Sequence, residues 1–360
     1  MRITCVIGTL GGGGAERMMV YLCGGLAARG HEVTLLTLDN SVPDFYELSP
    51  LVARRRISLP TFRAAGGIRA IARLWTLTRA VRATKPQVLI SFMTISVLAS
   101  CWLLRIPYIY ADHLDIRHLT YSRKWEILRN FFLRFARAVT VLSERDRKFI
   151  ALYHPRWKPV VIYNPALPGK GKTDTRPAFF QPGKKYVLAV GRLVRQKGFD
   201  RLLHAWRWIY EKHPLWRLAI IGEGKEKAEL MQLADGLDVQ QSVDFVPAQK
   251  DLAAAYHHAD LFVMSSRAEG FPLVLLEAME AGLPAVSFAC TGPDVIIRDG
   301  VDGFLVKQHR TEQLSRRMSE LMKDEAKRQV FGSRAREVLS RFSGEKYLDA
   351  YEKLCQQVLK

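Results

Sequence analysis

The sequence has few cysteines, and their spacing suits neither a metal cage nor a disulfide framework. There are five in 360 residues, an odd number, with no Cys-x-x-Cys pair among them. This pattern argues against a cysteine-bound metal and favours a reducing compartment. The five residues are Cys5, Cys23, Cys101, Cys290 and Cys355.

Long apolar runs are also missing. The longest apolar region, residues 95–104, contains Ser and Cys and stops at Arg105, short of the ~20 residues that a membrane-spanning helix needs. The opening MRITCVIGTL has one basic residue and a short apolar run that is typical of a strand rather than of a signal peptide. We therefore expect a cytoplasmic protein whose contact with a membrane is peripheral.

Acidic residues are scarce in the first half of the chain. Residues 1–165 carry 24 Lys+Arg and 10 Asp+Glu, a net charge of +14, and the remainder carries 30 and 25, a net of +5. A basic half indicates an anionic partner: nucleic acid, acidic lipid or a phosphate-bearing substrate. The arginines are spread over helical segments and no nucleic-acid-binding motif accompanies them, so we favour a membrane surface over nucleic acid.

Short apolar runs alternate with helical patterns along the whole chain, which predicts an α/β fold with parallel sheets and helices on both faces. We expect two tandem Rossmann-like, doubly wound domains, residues 1–165 and 185–340, with a ligand cleft between them. A Pro-, Gly- and Lys-rich stretch, residues 166–184, predicts the linker, and residues 341–360 predict a C-terminal helix that packs back on the first domain. Predicted strands are 3–7, 33–38, 88–92, 108–110, 138–142, 160–163, 186–190, 218–221, 243–246, 261–264, 285–288 and 303–306, and predicted helices include 15–29, 68–84, 95–104, 123–136, 144–152, 311–323, 325–340 and 344–358.

The segment EGFPLVLLE carries two glutamates, Glu269 and Glu277, after a buried strand. Pro272 suits the first position of a helix, which would leave the amides of residues 270–273 free to bind an anion. A phosphate held by amides between two carboxylates that accept hydroxyl hydrogen bonds predicts a nucleotide-sugar site. The alternative is a core helix with a solvated pair of glutamates.

Two further strand ends carry groups suited to phosphate. Arg192 follows the strand VLAV, and Lys197 stands five residues later, just before Gly198 and a helix. Two cations at such a junction would neutralise a diphosphate, although either alone is more often a surface charge. After the first strand come four glycines, Gly11–Gly14, which allow close approach of the backbone to a ligand or form a flexible turn.

Together these motifs resemble those of the family 4 glycosyltransferases, which have the two-domain GT-B fold. The matching segments run in order along nearly the whole chain. A narrower and weaker similarity is to bacterial enzymes that add hexoses or N-acetylgalactosamine to polyprenyl-diphosphate-linked oligosaccharides. The segments are GGGGAER near the start, ADH at 111–113, GRLVRQKG at 191–198, IIGEG at 220–224, ADLFVMSS at 259–266, EGFPLVLLE at 269–277 and DGVDGFLV at 299–306.

The resemblance implies a role for each matching residue. Arg192 and Lys197 would hold the donor diphosphate, Glu277 the ribose hydroxyls and Val246 the nucleobase. His113 and Glu269 would lie at the transferred sugar as the catalytic pair, although a structural role for His113 at a strand end is equally open. The remaining donor contacts would come from Gly13 and Gly14 in the first domain and from Gly270, Phe271, Pro272, Leu273 and Val274 in the second.

The chain has no Asp-x-Asp motif, so the resemblance implies a transferase that requires neither a metal nor another cofactor and uses a nucleotide sugar, with UDP favoured over GDP. Cations and helix N-termini would then stabilise the leaving diphosphate. The resemblance also implies retention at the anomeric carbon. We expect same-face attack with the leaving phosphate as base, because no carboxylate of the first domain stands out as a nucleophile.

Two basic, apolar segments of the first half predict the acceptor and membrane surface. In residues 66–85, Ile68, Ile71, Ala72, Trp75 and Val81 fall toward one side of a helix, with Arg69, Arg73, Arg79 and Arg82 beside them. This pattern is typical of a helix that lies on anionic lipid, and Arg69 and Arg73 could hold a lipid-linked pyrophosphate. A second segment, residues 123–138, mixes aromatic and basic residues. For both, the alternative is a core helix with arginines at its outer edge.

The sequence therefore predicts a retaining glycosyltransferase that moves a hexose or N-acetylhexosamine from a UDP-sugar to a lipid-linked glycan acceptor on the inner face of a membrane. One alternative keeps the enzyme but changes the acceptor to a lipopolysaccharide core or a soluble molecule. Another is a non-catalytic membrane- or nucleic-acid-binding protein on the same scaffold. The four polar residues Arg192, Lys197, Glu269 and Glu277 argue against that last alternative.

Overall fold

The computed structural model describes residues 1–39, 41–60, 66–113, 123–169, 171 and 175–360. The chain divides into two compact units. Unit 1 comprises Met1–Asn164 and Glu345–Lys360, and unit 2 comprises Pro165–Gly344. Within the described residues, no helix is both long enough and apolar enough to span a bilayer.

Unit 1 is built on a parallel seven-stranded sheet with the order β3-β2-β1-β4-β5-β6-β7. Its central strands are mostly apolar and almost entirely buried, as expected for a sheet covered by helices on both faces. The strands are β1 Arg2–Ile7, β2 Glu32–Thr37, β3 Ala53–Arg56, β4 Val88–Phe92, β5 Tyr108–Ala111, β6 Ala138–Val141 and β7 Pro159–Val161, and the helices are α1 Gly14–Ala28, α2 Gly66–Ala83, α3 Leu98–Leu104, α4 Arg123–Leu133 and α5 Glu144–Tyr153, with 3₁₀ turns at Ile95–Val97 and Pro155–Trp157.

The order in which the chain adds strands to the sheet reverses between β1 and β4, although all strands are parallel. The chain moves from β1 to β2 on one side and from β4 to β5, β6 and β7 on the other. Because such crossovers are right-handed, α1 covers one face, and α2 to α5 cover the opposite face. Consistent with this, α2 contacts α3, and α3 contacts α4. Ligands of open α/β sheets bind at this reversal, outside the carboxyl ends of the strands.

The C-terminal helix α14, Gly344–Leu359, packs against α1 in unit 1. Arg29, at the end of α1, pairs with Glu345, Asp349 and Glu352 at 2.5, 2.8 and 2.9 Å. His31 lies 3.0 Å from a second oxygen of Glu352, as expected for a structural histidine. The C-terminal residues are therefore part of the first folding unit.

Unit 2 is built on a parallel six-stranded sheet with the order β10-β9-β8-β11-β12-β13, which reverses between β8 and β11. Its strands are β8 Lys185–Val190, β9 Trp216–Ile221, β10 Val243–Val246, β11 Leu261–Met264, β12 Ala285–Phe288 and β13 Gly303–Val306, and its helices are α6 Phe199–Arg207, α7 Lys227–Gly236, α8 Ala253–His258, α9 Leu273–Glu280, α10 Pro293–Ile296, α11 Thr311–Lys323, α12 Glu325–Ala335 and α13 Val338–Arg341, with 3₁₀ turns at Arg195–Lys197, Tyr210–Lys212 and Gln240–Ser242.

The predicted parallel α/β architecture is confirmed for both units. One strand was missed: β3, Ala53–Arg56, reads ARRR and lies at the sheet edge beside β2. This edge strand carries no continuous apolar run, and its charges discourage pairing with another chain. The predicted helix 325–340 is also wrong in its middle, because it is divided into α12 and α13.

Candidate functional site

In unit 2, the predicted donor residues lie at the point where the sheet order reverses. Arg192 and Lys197 belong to the loop after β8, and Glu269 and Gly270 to the loop after β11. These two strands are neighbours in the sheet, so their carboxyl ends meet at one edge. Residues 72 positions apart in the sequence are thereby brought together at the position where such sheets bind ligands.

The two loops are fastened to each other by hydrogen bonds. The Gln196 side-chain amide donates to the carbonyl of Ala268 at 2.8 Å, and the Ser265 hydroxyl donates to the carbonyl of Lys197 at 3.0 Å. Gly198, with φ of +66°, closes the first loop, and a Cβ there would overlap the Ser265 carbonyl oxygen. Only glycine combines that backbone conformation with that close approach.

Lys197 and Glu269 form a nearly buried ion pair. The Lys197 Nζ lies 2.6 Å from Glu269 Oε1, with side chains 16% and 9% exposed. The Ser266 hydroxyl donates to the same oxygen at 2.7 Å, a contact that the sequence reasoning missed although Ser266 stands in the quoted motif. Because an ammonium has three N–H groups, Lys197 can hold Glu269 and still donate to a phosphate oxygen.

Arg192 differs from Lys197 in its surroundings. Its side chain is exposed, and it makes no ion pair with any residue that the structure describes. A guanidinium in this state can bind a phosphate without first giving up a carboxylate partner. Of the two predicted cations, Arg192 is therefore the one without an ion-pair partner among the described residues.

Helix α9 begins one residue later than predicted. Pro272 is the N-cap residue, with φ −73° and ψ 115°, and Leu273 is the first helical residue. The prediction of a free amide at each of residues 270–273 is wrong for Pro272, because proline has no backbone N–H. The first helical N–H groups, those of Leu273 and Val274, have no partner within the helix. They remain candidate phosphate donors.

The loop after β12 packs against the turn that precedes α9. The backbone N–H of Gly292 donates to the carbonyl of Glu269 at 3.3 Å. A Cβ on Gly292 would lie 2.6 Å from the Gly270 carbonyl oxygen and 2.5 Å from Pro272 Cδ. The turn that carries Glu269, Gly270 and the buried Phe271 is thus packed tightly from the β12 side.

The remaining donor residues of unit 2 lie on two different elements. Glu277 is half-buried on α9 and accepts a 2.9 Å hydrogen bond from the Tyr256 hydroxyl, which the sequence reasoning also missed. Val246 ends the edge strand β10, where its carbonyl accepts from Gly222 N–H at 2.9 Å. Val246 also lines a cavity of about 400 Å³ along β10, together with Phe179, Met231, Ala234, Gln240, Val243, Asp244, Phe245 and Pro247.

In unit 1, the glycine-rich loop lies after β1 and leads directly into α1. Gly13 is the N-cap residue and Gly14 begins the helix. The Glu16 carboxylate folds back against this terminus, because a Cβ on Gly13 would overlap it, and it accepts from the Thr9 hydroxyl at 3.3 Å. A carboxylate here stabilises the helix. An incoming diphosphate at Gly13 would therefore have to displace Glu16.

His113 follows β5 at the same sheet edge as the glycine-rich loop. Its ring lies 4.1 Å from the ring of Phe92 at the end of β4. Both ring nitrogens are buried, and neither has a hydrogen-bond partner in the described part of the chain. Burial lowers the pKa of His113 to about 3, so the imidazole is neutral in any physiological buffer and can donate from one nitrogen and accept at the other.

Helix α2 exposes a narrower apolar stripe than predicted. Ile68, Ile71 and Trp75 are 60%, 69% and 62% exposed, whereas Val81 is fully buried in the core. Placing Val81 on the exposed side was therefore wrong, since it lies with Leu77 on the face toward the sheet. The stripe follows a spacing of three and four residues, as an interfacial helix does.

The arginines of α2 fall into different environments. Arg69 is exposed, and Arg73 is half-buried and donates through Nε to the carbonyl of Pro60 at 3.1 Å. The guanidinium of Arg79 lies 5.5 Å from the centre of the Trp75 ring. In the predicted pair, Arg69 thus has no ion-pair partner among the described residues, and Arg73 already donates to a backbone carbonyl.

A second apolar surface surrounds α4. Trp125, Ile127 and Leu128 are 47%, 62% and 44% exposed. The rings of Trp102, Phe131 and Phe135 lie 5.4–6.2 Å from one another, with Phe132 at the side of the cluster. The core interpretation of this segment holds for Leu133, which is buried. Trp125, Ile127 and Leu128, however, face outward.

Two family models together match most of the chain. Residues 12–166 match the model "Glycosyltransferase Family 4", and residues 172–338 match "Glycosyl transferases group 1". The chain belongs to the glycosyltransferases. This glycosyltransferase carries the Family 4 match on unit 1 and the group 1 match on unit 2, which contains the Lys197–Glu269 pair.

Individual relatives of this glycosyltransferase cover nine-tenths or more of its length. It is 29% identical over 333 residues, 90% of each chain, to the amylovoran biosynthesis glycosyltransferase AmsD of Erwinia amylovora. It is 26% identical over 372 residues, 99% of each chain, to the Campylobacter jejuni GalNAc-alpha-(1->4)-GalNAc-alpha-(1->3)-diNAcBac-PP-undecaprenol alpha-1,4-N-acetyl-D-galactosaminyltransferase. The crystal structure of Anabaena HepE in complex with UDP and glucose superposes with a TM-score of 0.79 at 19% identity, covering 99% of each chain, which shows that the fold is GT-B.

Proposed function

We propose that this glycosyltransferase moves a hexose or N-acetylhexosamine from a UDP-sugar to a lipid-linked glycan on the inner face of a membrane, in the biosynthesis of a bacterial polysaccharide. The observation that carries the donor part is the cluster at the sheet reversal of unit 2. There a free arginine, a lysine–glutamate pair and an open helix N-terminus share one edge.

The donor diphosphate would bind to Arg192, to the free N–H groups of Lys197 and to the amides of Leu273 and Val274. These groups offer fixed positive charge where negative charge develops on the leaving diphosphate. The proposal therefore requires no divalent ion. Glu277, oriented by Tyr256, would accept from the ribose hydroxyls, and Val246 would border the nucleobase.

In unit 2, the transferred sugar would lie against Glu269. In unit 1, we propose that His113 binds a sugar hydroxyl. Support for His113 comes from its two buried nitrogens, because a buried polar atom without a partner costs free energy that a ligand hydroxyl would recover. A neutral imidazole is suited to orient a sugar hydroxyl rather than to carry a charge. We further propose retention by same-face attack, with the leaving phosphate accepting the proton of the acceptor hydroxyl.

The acceptor part of the proposal rests on two kinds of support. The Campylobacter relative is named for an undecaprenol-linked substrate, and AmsD is named for amylovoran biosynthesis. In unit 1, the exposed stripe of Ile68, Ile71 and Trp75 is bordered by Arg69 and Arg79. An apolar stripe bordered by cations suits an anionic lipid surface.

Transfer is tested with purified protein, radiolabelled UDP-sugars and an undecaprenyl-diphosphate-linked oligosaccharide, with EDTA present. The proposal predicts a labelled lipid product, and proton NMR of that product should show the anomeric configuration of the donor. Transfer only to a soluble sugar or a lipopolysaccharide core would contradict the acceptor, and an inverted configuration would contradict retention. Binding to nucleic acid without nucleotide affinity would contradict the enzyme altogether.

Membrane docking is tested by sedimentation with liposomes of anionic and of zwitterionic lipid. We expect binding to anionic liposomes that weakens with salt and with Trp75→Ser. Trp208→Ser is the matched control, because Trp208 is 50% exposed on unit 2 and should leave binding unchanged. Equal loss in both variants, or no sedimentation of the wild-type protein at low salt, would rule out α2 as the docking helix.

A further inference from the structure

A buried ion pair joins helix α4 to the end of strand β5. Arg129 Nη2 lies 3.0 Å from Asp112 Oδ2, with side chains 7% and 1% exposed. The guanidinium also lies 5.0 Å from the centre of the Trp157 ring. Asp112 is the residue immediately before His113, and its backbone N–H donates to the carbonyl of Thr140 at 2.9 Å.

The cost of desolvating a buried ion pair offsets much of its Coulomb attraction, so its net contribution to stability is generally small. Removing two charges from water costs several kcal/mol, and a well-packed apolar pair of similar volume often stabilises a fold equally well. What the pair supplies is a fixed geometry, because a guanidinium and a carboxylate meet in defined directions. The contact with Arg129 therefore ties the Asp112 side chain to α4.

The orientation of the His113 ring depends on the position of Asp112, the residue immediately before it. Neither ring nitrogen has a hydrogen-bond partner among the residues that the structure describes. The ring packs 4.1 Å from the Phe92 ring, and the His113 backbone is continuous with that of Asp112. A shift of that backbone would move the imidazole directly.

We propose that Arg129 is a positioning residue for His113, acting through Asp112, and that it makes the rate of sugar transfer depend on the placement of α4. The inference rests on the role proposed above for His113 in binding a sugar hydroxyl. Displacing a reacting group by a fraction of an ångström to one ångström can lower a rate by up to ~100-fold. Binding of the nucleotide, which involves unit 2, would be unaffected.

The experiment compares kcat and KM for the donor in Arg129→Met, in Arg129→Lys and in the double variant Arg129→Met/Asp112→Asn. We expect kcat to fall ~10- to 100-fold in Arg129→Met, with KM for the UDP-sugar within about twofold of wild type, and an intermediate kcat in Arg129→Lys, which retains the charge. The double variant leaves no lone buried charge, so its thermal stability should recover while kcat stays low.

Two controls separate positioning from a general loss of structure. Leu36→Ala truncates a fully buried side chain on β2, three strands away from β5 in the sheet, and should lower the melting temperature with little effect on kcat. Recovery of kcat together with stability in the double variant, or an equal fall of kcat in Leu36→Ala, would overturn the inference.

His113→Ala is measured in parallel. If it retains full kcat, the role proposed for His113 fails, and the inference about Arg129 fails with it. If it lowers kcat but the Arg129 variants keep wild-type kcat, only the inference about Arg129 fails.

Discussion

Replacing Lys197 by methionine should have two effects, and these can be separated because Lys197 forms an ion pair with Glu269. The substitution removes the cation that faces Glu269 and leaves a carboxylate that is 9% exposed. It also removes the charge proposed to meet the donor diphosphate. The first effect is a loss of stability in the free protein, and the second is a loss of nucleotide affinity.

The magnitude of the first effect follows from the burial of the pair. Removing one partner of a buried ion pair costs about 3–5 kcal/mol, and we take about 3 kcal/mol because the Ser266 hydroxyl still bonds Glu269. For a unit of this size, that predicts a fall in melting temperature of roughly 6–12 °C. Lys185→Met is the control, since its pair with Glu325 is exposed and should contribute only ~0–1 kcal/mol.

The double variant Lys197→Met/Glu269→Gln separates the two effects. Without a lone carboxylate, the melting temperature measured by calorimetry should return to within a few degrees of wild type, while UDP affinity measured by titration stays low. A Lys197→Met protein with wild-type melting temperature would refute the buried pair. A double variant with wild-type UDP affinity would refute the role of Lys197 at the diphosphate.

Three other predictions concern Arg192, Gly198 and His113. Arg192→Ala should leave the melting temperature unchanged and weaken UDP binding by ~1.5–3 kcal/mol, on the order of 10- to 150-fold, measured by titration; a destabilised variant would contradict its freedom from partners. Gly198→Ala should destabilise unit 2 by more than ~1 kcal/mol in urea unfolding, whereas Gly236→Ala, which meets open space, should not; equal effects would refute the strain argument. The pKa of His113 is 6.5 in the unfolded chain and about 3 in the folded protein, so between these pH values only the unfolded chain binds the proton. The free energy of unfolding should therefore decrease as the pH is lowered through this window, by at most ~1.4 kcal/mol per pH unit. His113→Asn should reduce that slope between pH 7 and 5, and an unchanged slope would show that the imidazole is not buried as described.

The fold was predictable because buried parallel strands are continuous apolar runs. Strand β4 and strands β10 to β13 have the bounds expected from the sequence. Strand β3 was not predictable, since three arginines at a sheet edge have no apolar period. The burial of Val81 was missed because a helix with apolar residues around much of its circumference does not indicate which side faces the sheet.

The residues proposed for the candidate site can be chosen from the sequence, whereas the contacts among them cannot. Strand ends identified Arg192, Lys197 and Glu269, since parallel strands bring their carboxyl ends to one edge. The pairing of Lys197 with Glu269, 72 residues away, depends on side-chain geometry that no local pattern encodes. Ser266 and Arg129 were missed for the same reason. Ser266 contacts Glu269 through one hydrogen bond, Arg129 contacts Asp112 through one ion pair, and neither contact leaves a pattern in the sequence.

The central claim is that the sheet edge of unit 2 binds a nucleoside diphosphate without a metal. Calorimetric titration of the wild-type protein with UDP, GDP and several UDP-sugars, in the presence and absence of EDTA, tests it most directly. The account predicts micromolar binding of UDP that EDTA does not change and that Arg192→Ala weakens. Folded protein that binds no nucleotide, or binds one only with a divalent ion, would contradict it.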